Sequence, residues 1–486
     1  MTANTLKTEP RPGTRLQKTR LTEKQVFSSL RVFMTFSCFT VLVVMSLATR
    51  CGHAGEAENA RPAAPTAAWK VGAPIVSYWA GPGFPGGAPM DDAAAAQLVE
   101  GGWNWVWCHE KELDVVKRHG LRGLLCDPLL KPEALDDPKL RKALDELVLR
   151  VKENPALYAY HLTDEPSAHA FPALGRLVAY LRERDPAHLA YINLLPTYAN
   201  NQQLGIEGEK MIAYQEHLRQ FVEIVRPSLL SYDHYQFTNA GDNPDYFLNL
   251  ALVREQALVA GLPFINIVQA SCWVPGSAAS PQAPRVPNSE EMRYLVYTTL
   301  AYGAQGISYY VYCYPKHEGG IANADGTPTP LYQALKVLNR EFVTIAKEVQ
   351  PLKSLGVFHA GMQPPGVTPV PAGSAFAFDP PVPPLAYTPG VRVQGLLLGC
   401  FGVPGKSNES ATHALVVNLD YKNERLAGLR GPAPLEVFDA AAGTWAPVGG
   451  PKAELRLAGG GGKLVRVCPP PVVVTRASGA GKGGNE

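Results

Sequence analysis

The chain has 486 residues, 46% apolar, 9% aromatic and 18% charged, with 45 Gly and 44 Pro. This balance excludes a coiled coil, a collagen-like chain and a wholly disordered protein, while the length suits two or three domains rich in loops. The formal charge is +2, and much of its positive part sits near the N-terminus.

Residues 1–31 carry Lys7, Arg11, Arg15, Lys18, Arg20, Lys24 and Arg31 against Glu9 and Glu23, and Val32 to Ala48 is an uncharged apolar run of 17 residues. A basic stretch, an apolar run and then small residues form a secretory signal pattern. Gly52-His53-Ala54 supplies small residues for cleavage after Ala54. The expectation is a signal peptide over 1–54, a linker over 55–73, and a secreted or periplasmic product. The alternative is a retained membrane anchor, since such a run just reaches across a bilayer. Removing eight basic and two acidic residues turns +2 into about −4. No basic stripe remains, which argues against nucleic acid as a partner. Cys108, Cys126, Cys272, Cys313, Cys400 and Cys468 form no CxxC pair or zinc-type spacing with His, so no metal or other cofactor is expected. Export permits disulfides, with Cys108/Cys126 and Cys272/Cys313 on neighbouring strands; buried free thiols are the equal alternative.

From residue 74 short apolar runs alternate with longer amphipathic ones. Strands are predicted over 74–80, 103–109, 121–127, 157–165, 188–195, 227–235, 263–271 and 306–314. Each is rich in Leu, β-branched or aromatic residues and is bounded by Gly, Pro, Asp or Asn. Helical spacing marks 139–154, 171–185, 246–261, 289–303 and 331–349. Eight strand–helix units over 74–350 match the size of a (β/α)8 TIM barrel. The competing doubly wound sheet would call for GxGxxG or GxxxxGK[ST], and neither occurs. Residues 351–392 read as a proline-rich loop and the start of a β domain. Short strands at 393–401, 413–420, 435–448, 453–459 and 463–468 then predict a C-terminal all-β sandwich over 393–468. Residues 469–486 read as a disordered tail.

Active groups of such a barrel sit at the C-terminal ends of its strands. Those ends carry Trp79; His109 and Glu110; Asp127; Asp164 and Glu165; Asn193; Asp233, His234 and Tyr235; Gln269 with Trp273; and Tyr312 with Tyr314. Carboxylates, amides and flat aromatic faces on one rim suit a sugar ring, with its CH-rich faces and hydroxylated edges. Packing in the barrel mouth is the plain alternative for each aromatic.

Asp164-Glu165-Pro166 at the end of the fourth strand resembles the Asn/Asp-Glu-Pro triplet of the clan A retaining glycoside hydrolases. A barrel followed by a β-sandwich is also similar to many secreted bacterial glycosidases. The resemblance implies Glu165 as acid/base and Asp164 in the place of the Asn that binds the sugar hydroxyl beside the anomeric carbon. Helix capping by these acids is the alternative. Clan A places its nucleophile Glu at the end of the seventh strand, where this chain reads Phe264-Ile-Asn-Ile-Val-Gln269-Ala-Ser271. Asp233 is therefore the candidate second carboxylate, with Glu110, Asp127 and Glu318 in reserve. It stands two strands on from Glu165, which allows a gap wider than the ~5.5 Å of retaining enzymes; about 6.5–9.5 Å would favour inversion, with Asp233 as base for a water. The remaining residues expected on a carbohydrate substrate are Trp79, His109, Asn193, His234, Tyr235, Gln269, Trp273 and Tyr312. Three functions are compatible, in this order: a glycoside hydrolase, a glycan-binding barrel without catalysis, and a metal-dependent hydrolase using His109, Asp127, Asp233 and His234.

Overall fold

Runs of Val, Ile, Leu, Tyr and Trp bounded by Gly, Asn and Asp become the parallel strands of the first half: β1 (Ile75–Trp79), β2 (Trp105–Cys108), β3 (Arg122–Leu125), β4 (Leu157–Asp164), β5 (Leu189–Asn193), β6 (Leu230–His234), β7 (Phe264–Gln269) and β8 (Gly306–Tyr310). The computed structural model describes residues 68–274 and 280–469. The expected signal peptide, most of the linker and all but the first residue of the tail lie outside the described residues. By its contacts the chain divides between Pro62 and Ala63, and every described residue belongs to the second unit. Among the described residues no helix is long and apolar enough to cross a membrane.

A helix follows each strand: α1 (Asp92–Glu100), α2 (Leu113–Arg118), α3 (Pro138–Val151), α4 (Phe171–Arg184), α5 (Lys210–Gln220), α6 (Tyr246–Ala260), α7 (Ser289–Ala301) and α8 (Pro330–Val349). Their starts carry the expected chemistry. Asp137 accepts from the backbone N–H of Lys139 and Leu140 ahead of Pro138, and Asn288 and Glu291 form a reciprocal capping box. The helices α1, α2 and α5 escape the sequence reading. In α1 only Ala95 and Leu98 are buried, too few to draw an apolar stripe, and α2 is only six residues long.

The strands form two parallel sheets, in the orders β1-β8-β7-β6 and β2-β3-β4-β5. The Leu194 N–H donates to the Ser231 carbonyl (2.9 Å) where β5 meets β6, and the Asn104 N–H donates to the Val76 carbonyl (3.0 Å) where β1 meets β2. The order is TIM-barrel-like. Aromatic rings fill the interior near β1, β2, β4 and β5: Trp79 on Trp107 (4.9 Å between centroids), Trp107 on His161 (4.8 Å) and Trp105 on Tyr191 (5.0 Å).

Beyond α8 come β9 (Lys353–Gly361), β10 (Ala377–Phe378), β11 (Gly395–Gly402), β12 (His413–Asn418), β13 (Arg425–Arg430), β14 (Leu435–Asp439), β15 (Thr444–Pro447), β16 (Lys452–Leu457) and β17 (Gly462–Val467). They make antiparallel sheets in the orders β9-β11-β12-β17-β14-β15 and β10-β13-β16. Alternation along β11 sends Leu396, Leu398 and Cys400 into the core shared by these sheets, and Leu397 and Phe401 into the core of the first half. At Gly399 an added Cβ would stand 2.3 Å from the Ala301 carbonyl oxygen, so only glycine lets the end of α7 lie on this strand.

Within 351–392 the first strand of the β half is β9, which pairs along β11 from Lys353 to Gly361. One expectation needs correction. The single strand expected over 435–448 is a hairpin: the Asp439 carboxylate accepts from the N–H of Ala441 and Ala442, and Gly443 takes φ +67° to close the turn.

Candidate active site

The site begins with a shift in strand phase. In β4 the side chains of Ala159 and His161 alternate toward the interior, where the His161 ring meets Trp79, Trp107 and Tyr191. Strict alternation would next send Thr163 inward. Instead the pairing with β5 jumps from His161–Tyr191 to Thr163–Ile192 and Asp164–Asn193. This bulge re-aims the end of the strand, so that Asp164 stands beside Asn193 on the inner face. Glu165 follows with φ +45°, a left-handed conformation uncommon outside glycine, held by its N–H on the Asn193 carbonyl (2.9 Å). Such strain gathers at functional sites.

Asn193 is the hub. Its side-chain amide donates to Asp164 (3.1 Å) and to Asp233 (2.9 Å). Its own oxygen accepts from the Ser231 hydroxyl (2.9 Å), which is in turn hydrogen-bonded to the Tyr191 hydroxyl (2.9 Å). Three strand ends are thereby locked together. Glu165 and Asp233 are hydrogen-bonded to each other through their carboxyl groups.

These acids line a cavity of about 270 Å³ with Trp79, Asn193, Leu195, Pro196, Tyr198, Ala199, Gln203, Tyr235, Ile267, Trp273 and Tyr310. Asp164 and Glu165 remain open to the mouth, whereas Asp233 is 3% exposed. Burial pushes the Asp233 carboxyl well above the usual carboxylate range, and repulsion from Glu165 and then Asp164 pushes it further. Burial also raises Glu165, but the hydrogen bond from Asp233 works against that rise. Both carboxyls are raised, so the pair holds one proton between them. Asp164 is pushed up to about 6, chiefly by its enclosed surroundings, with Asn193 opposing and Glu165 adding to the rise.

Of the residues singled out from sequence, Trp79, Asp164, Glu165, Asn193, Asp233, Tyr235 and Trp273 meet around the cavity. Four do not. His109 closes a capping turn with Glu112 (3.1 Å). His234 is fully buried between Tyr198 and Tyr246, and neither ring nitrogen finds a hydrogen-bond partner. It follows Asp233, so alternation turns it to the opposite face of β6. Gln269 is fully buried and staples two loops, accepting from the Phe237 N–H (2.8 Å) and donating to the carbonyls of Phe237 (3.0 Å) and Arg285 (2.6 Å). Tyr312 packs on Tyr78 and Trp103 and accepts from Gln97 (2.7 Å).

The reserve acids are also engaged elsewhere. Glu110 pairs with Arg150 on the outside, Asp127 accepts from the Leu129 N–H, and Glu318 is exposed on a two-residue strand. The ligand set of the metal-dependent reading does not assemble, and among the described residues no three His, Cys, Asp or Glu side chains gather to hold a metal ion. The six described cysteines are all free thiols. Glu165 and Asp233 interact directly, so in this structure they stand closer than the wider gap that strand count allows.

The sequence reading misses Tyr198 and Tyr310. Tyr310 is the true last residue of β8; the aromatic run continues past it, so Tyr312 passes for the strand end. Tyr198 lies in the loop after β5, where no periodicity flags it.

No protein family matches the chain, and no curated protein does. Among solved structures, it is similar to a β-galactosidase from the haloarchaeon Halorubrum lacusprofundi, at 13% identity and TM-score 0.38 over 56% of this chain and 58% of that one. It is also similar to a Bifidobacterium dentium β-glucuronidase, at 12% and 0.39 over 55% and 46%. A family 5 mannosidase from Rhizomucor miehei matches at 12% and 0.39 over 57% and 95%. The chain spans about half the length of the haloarchaeal and bifidobacterial enzymes.

Proposed function

We propose that the chain is an exported glycoside hydrolase, built on a closed (β/α)8 barrel, that cleaves an O-glycosidic bond of a carbohydrate with Glu165 and Asp233. The observation that carries this reading is the meeting of the two carboxyls, sharing one proton, in an aromatic-walled cavity at the C-terminal ends of parallel strands. The cavity is at the small end of ligand pockets, a size suited to one sugar residue. Trp79, Tyr235, Trp273 and Tyr310 offer faces to the ring, and Asn193 and Asp164 offer polar contacts to hydroxyls.

Hydrolysis needs one carboxyl at the leaving oxygen and another on the far side of the reacting carbon, about 5.5 Å or more away. The pair must therefore part when a sugar enters. Asp233 is sealed and tied to Asn193, so it stays; Glu165, open to the mouth, swings out. As the pair parts, the shared proton leaves with Glu165, which gives it to the leaving oxygen, and Asp233 is left behind as the carboxylate. Asp233 faces the reacting carbon or its attacking water. The test is sugar release from a panel of plant, algal and bacterial glycans. A fall of more than about a hundredfold in Glu165→Gln is expected, the usual scale of acid–base contributions.

One observation favours a second reading. The strand 7 end offers no acid, since Gln269 is locked to loop backbone. A glycan-binding barrel without catalysis would bind oligosaccharides without releasing sugar, equally well in Glu165→Gln.

A further inference from the structure

The acids of the cavity have no cationic counterweight. Among the described residues lining it there are three carboxyls and no Lys, Arg or His. Of the basic groups nearby, Lys210 faces Asp245 (3.8 Å), the imidazole of His317 is hydrogen-bonded to the Tyr310 hydroxyl (3.2 Å), and burial holds the imidazoles of His161 and His234 down to about 4 and about 3, so neither carries charge near neutrality. Burial and mutual repulsion raise both aspartates, as expected of negative charge held together without neutralisation. The remaining wall is electron-rich. Tyr235 lies 4.6 Å from Trp273 and 5.0 Å from Tyr310, with Trp273 and Tyr310 5.7 Å apart, centroid to centroid. Aromatic faces attract ammonium groups and give nothing to carboxylates or sulfates.

We infer that the sugar this cavity selects carries a free ammonium group, as an unacetylated amino sugar does, and that sugars bearing a carboxylate or sulfate are rejected. The inference rests on the carbohydrate reading of the site and goes beyond it by fixing the charge of the ligand. Asp164 is the specificity-determining residue: it faces the cavity, is held by one bond from Asn193, and is not part of the proton-sharing pair.

The experiment uses the full-length mature protein and matched ligands in the gluco, galacto and manno series: the parent sugar, its 2-amino derivative, its N-acetyl derivative and the uronic acid. Binding is measured by calorimetry and cleavage on the corresponding nitrophenyl glycosides. The amine is expected to bind at least about tenfold tighter than the parent, with the advantage shrinking as salt rises, and the uronic acid at least about tenfold weaker. In Asp164→Asn the ratio of amine to parent affinity falls at least about fivefold. An amine that binds no better than its N-acetyl or parent form, or a uronic acid that binds as well as the parent, overturns the inference while leaving hydrolysis standing. Should Asp164→Asn fail to fold, the wild-type ligand ranking and its salt dependence still decide. If no sugar binds and no glycoside is cleaved, the carbohydrate reading falls together with this one.

Discussion

Replacing Asp233 by Asn tests the proton-sharing pair with little change of shape. The new side chain can still accept from Asn193 through its oxygen and donate to Glu165 through its nitrogen, so both contacts of the native carboxyl survive. What disappears is the capacity to release a proton and become charged. Two charges about 4 Å apart at an effective dielectric of about 20 repel by about 4 kcal/mol, which sets the scale of the tension removed. The folded state keeps a proton on Asp233 that the unfolded chain gives up above about pH 4, so wild-type stability falls as pH rises from there toward the elevated native value. The variant lacks that loss. The two proteins should melt alike near pH 4 and diverge at higher pH, with Asp233→Asn the more stable. Relief of about 1 kcal/mol moves the midpoint by about 1 °C in a chain of this length. Turnover should fall at least about a hundredfold. Thermal melts at several pH values and initial rates on the best glycoside report both quantities. A variant that keeps wild-type turnover, or whose melting temperature follows the same pH slope as wild type, refutes the shared-proton argument.

Three further outcomes are expected from the same geometry. Asn193→Ala removes the donor to both aspartates and leaves Ser231 without its acceptor; stability should drop by about 1–3 kcal/mol in urea melts, with turnover down at least about tenfold. Gln269→Glu, which puts an acid at the end of strand 7, sets a carboxylate against the carbonyls of Phe237 and Arg285; it should cost about 2–4 kcal/mol by denaturation and yield no gain in rate. Gly399→Val drives a side chain into the Ala301 carbonyl and should lower stability by about 2 kcal/mol or more, read as a lower urea midpoint, with no change in ligand affinity of the folded fraction.

The eight strand runs are legible in the sequence because each combines apolar or aromatic residues with a firm boundary, and the rule that strand ends carry function leads directly to Asp164, Glu165, Asn193 and Asp233. The errors share a physical origin. Reading Ser231-Tyr-Asp-His-Tyr235 as a block puts His234 beside Asp233 in the site, although neighbours on a strand face opposite ways. Gln269 does sit at the rim of β7, but its three backbone partners come from loops distant in sequence. Tyr312 is preferred to Tyr310 because composition does not mark where pairing stops. Contact between Glu165 and Asp233 is beyond reach, since strand count alone leaves the separation open and the local path of β4 decides the distance.

That path carries a consequence for how such a site can be lost. The extra residue between His161 and Thr163 acts as a spacer that fixes which way everything after it points. Deleting one residue there would preserve every acid in the chain and still rotate Asp164 toward the helices, breaking up the cluster. Counting letters between landmarks, rather than checking that the acids are present, is the measure of whether a cousin of this chain keeps the same cluster.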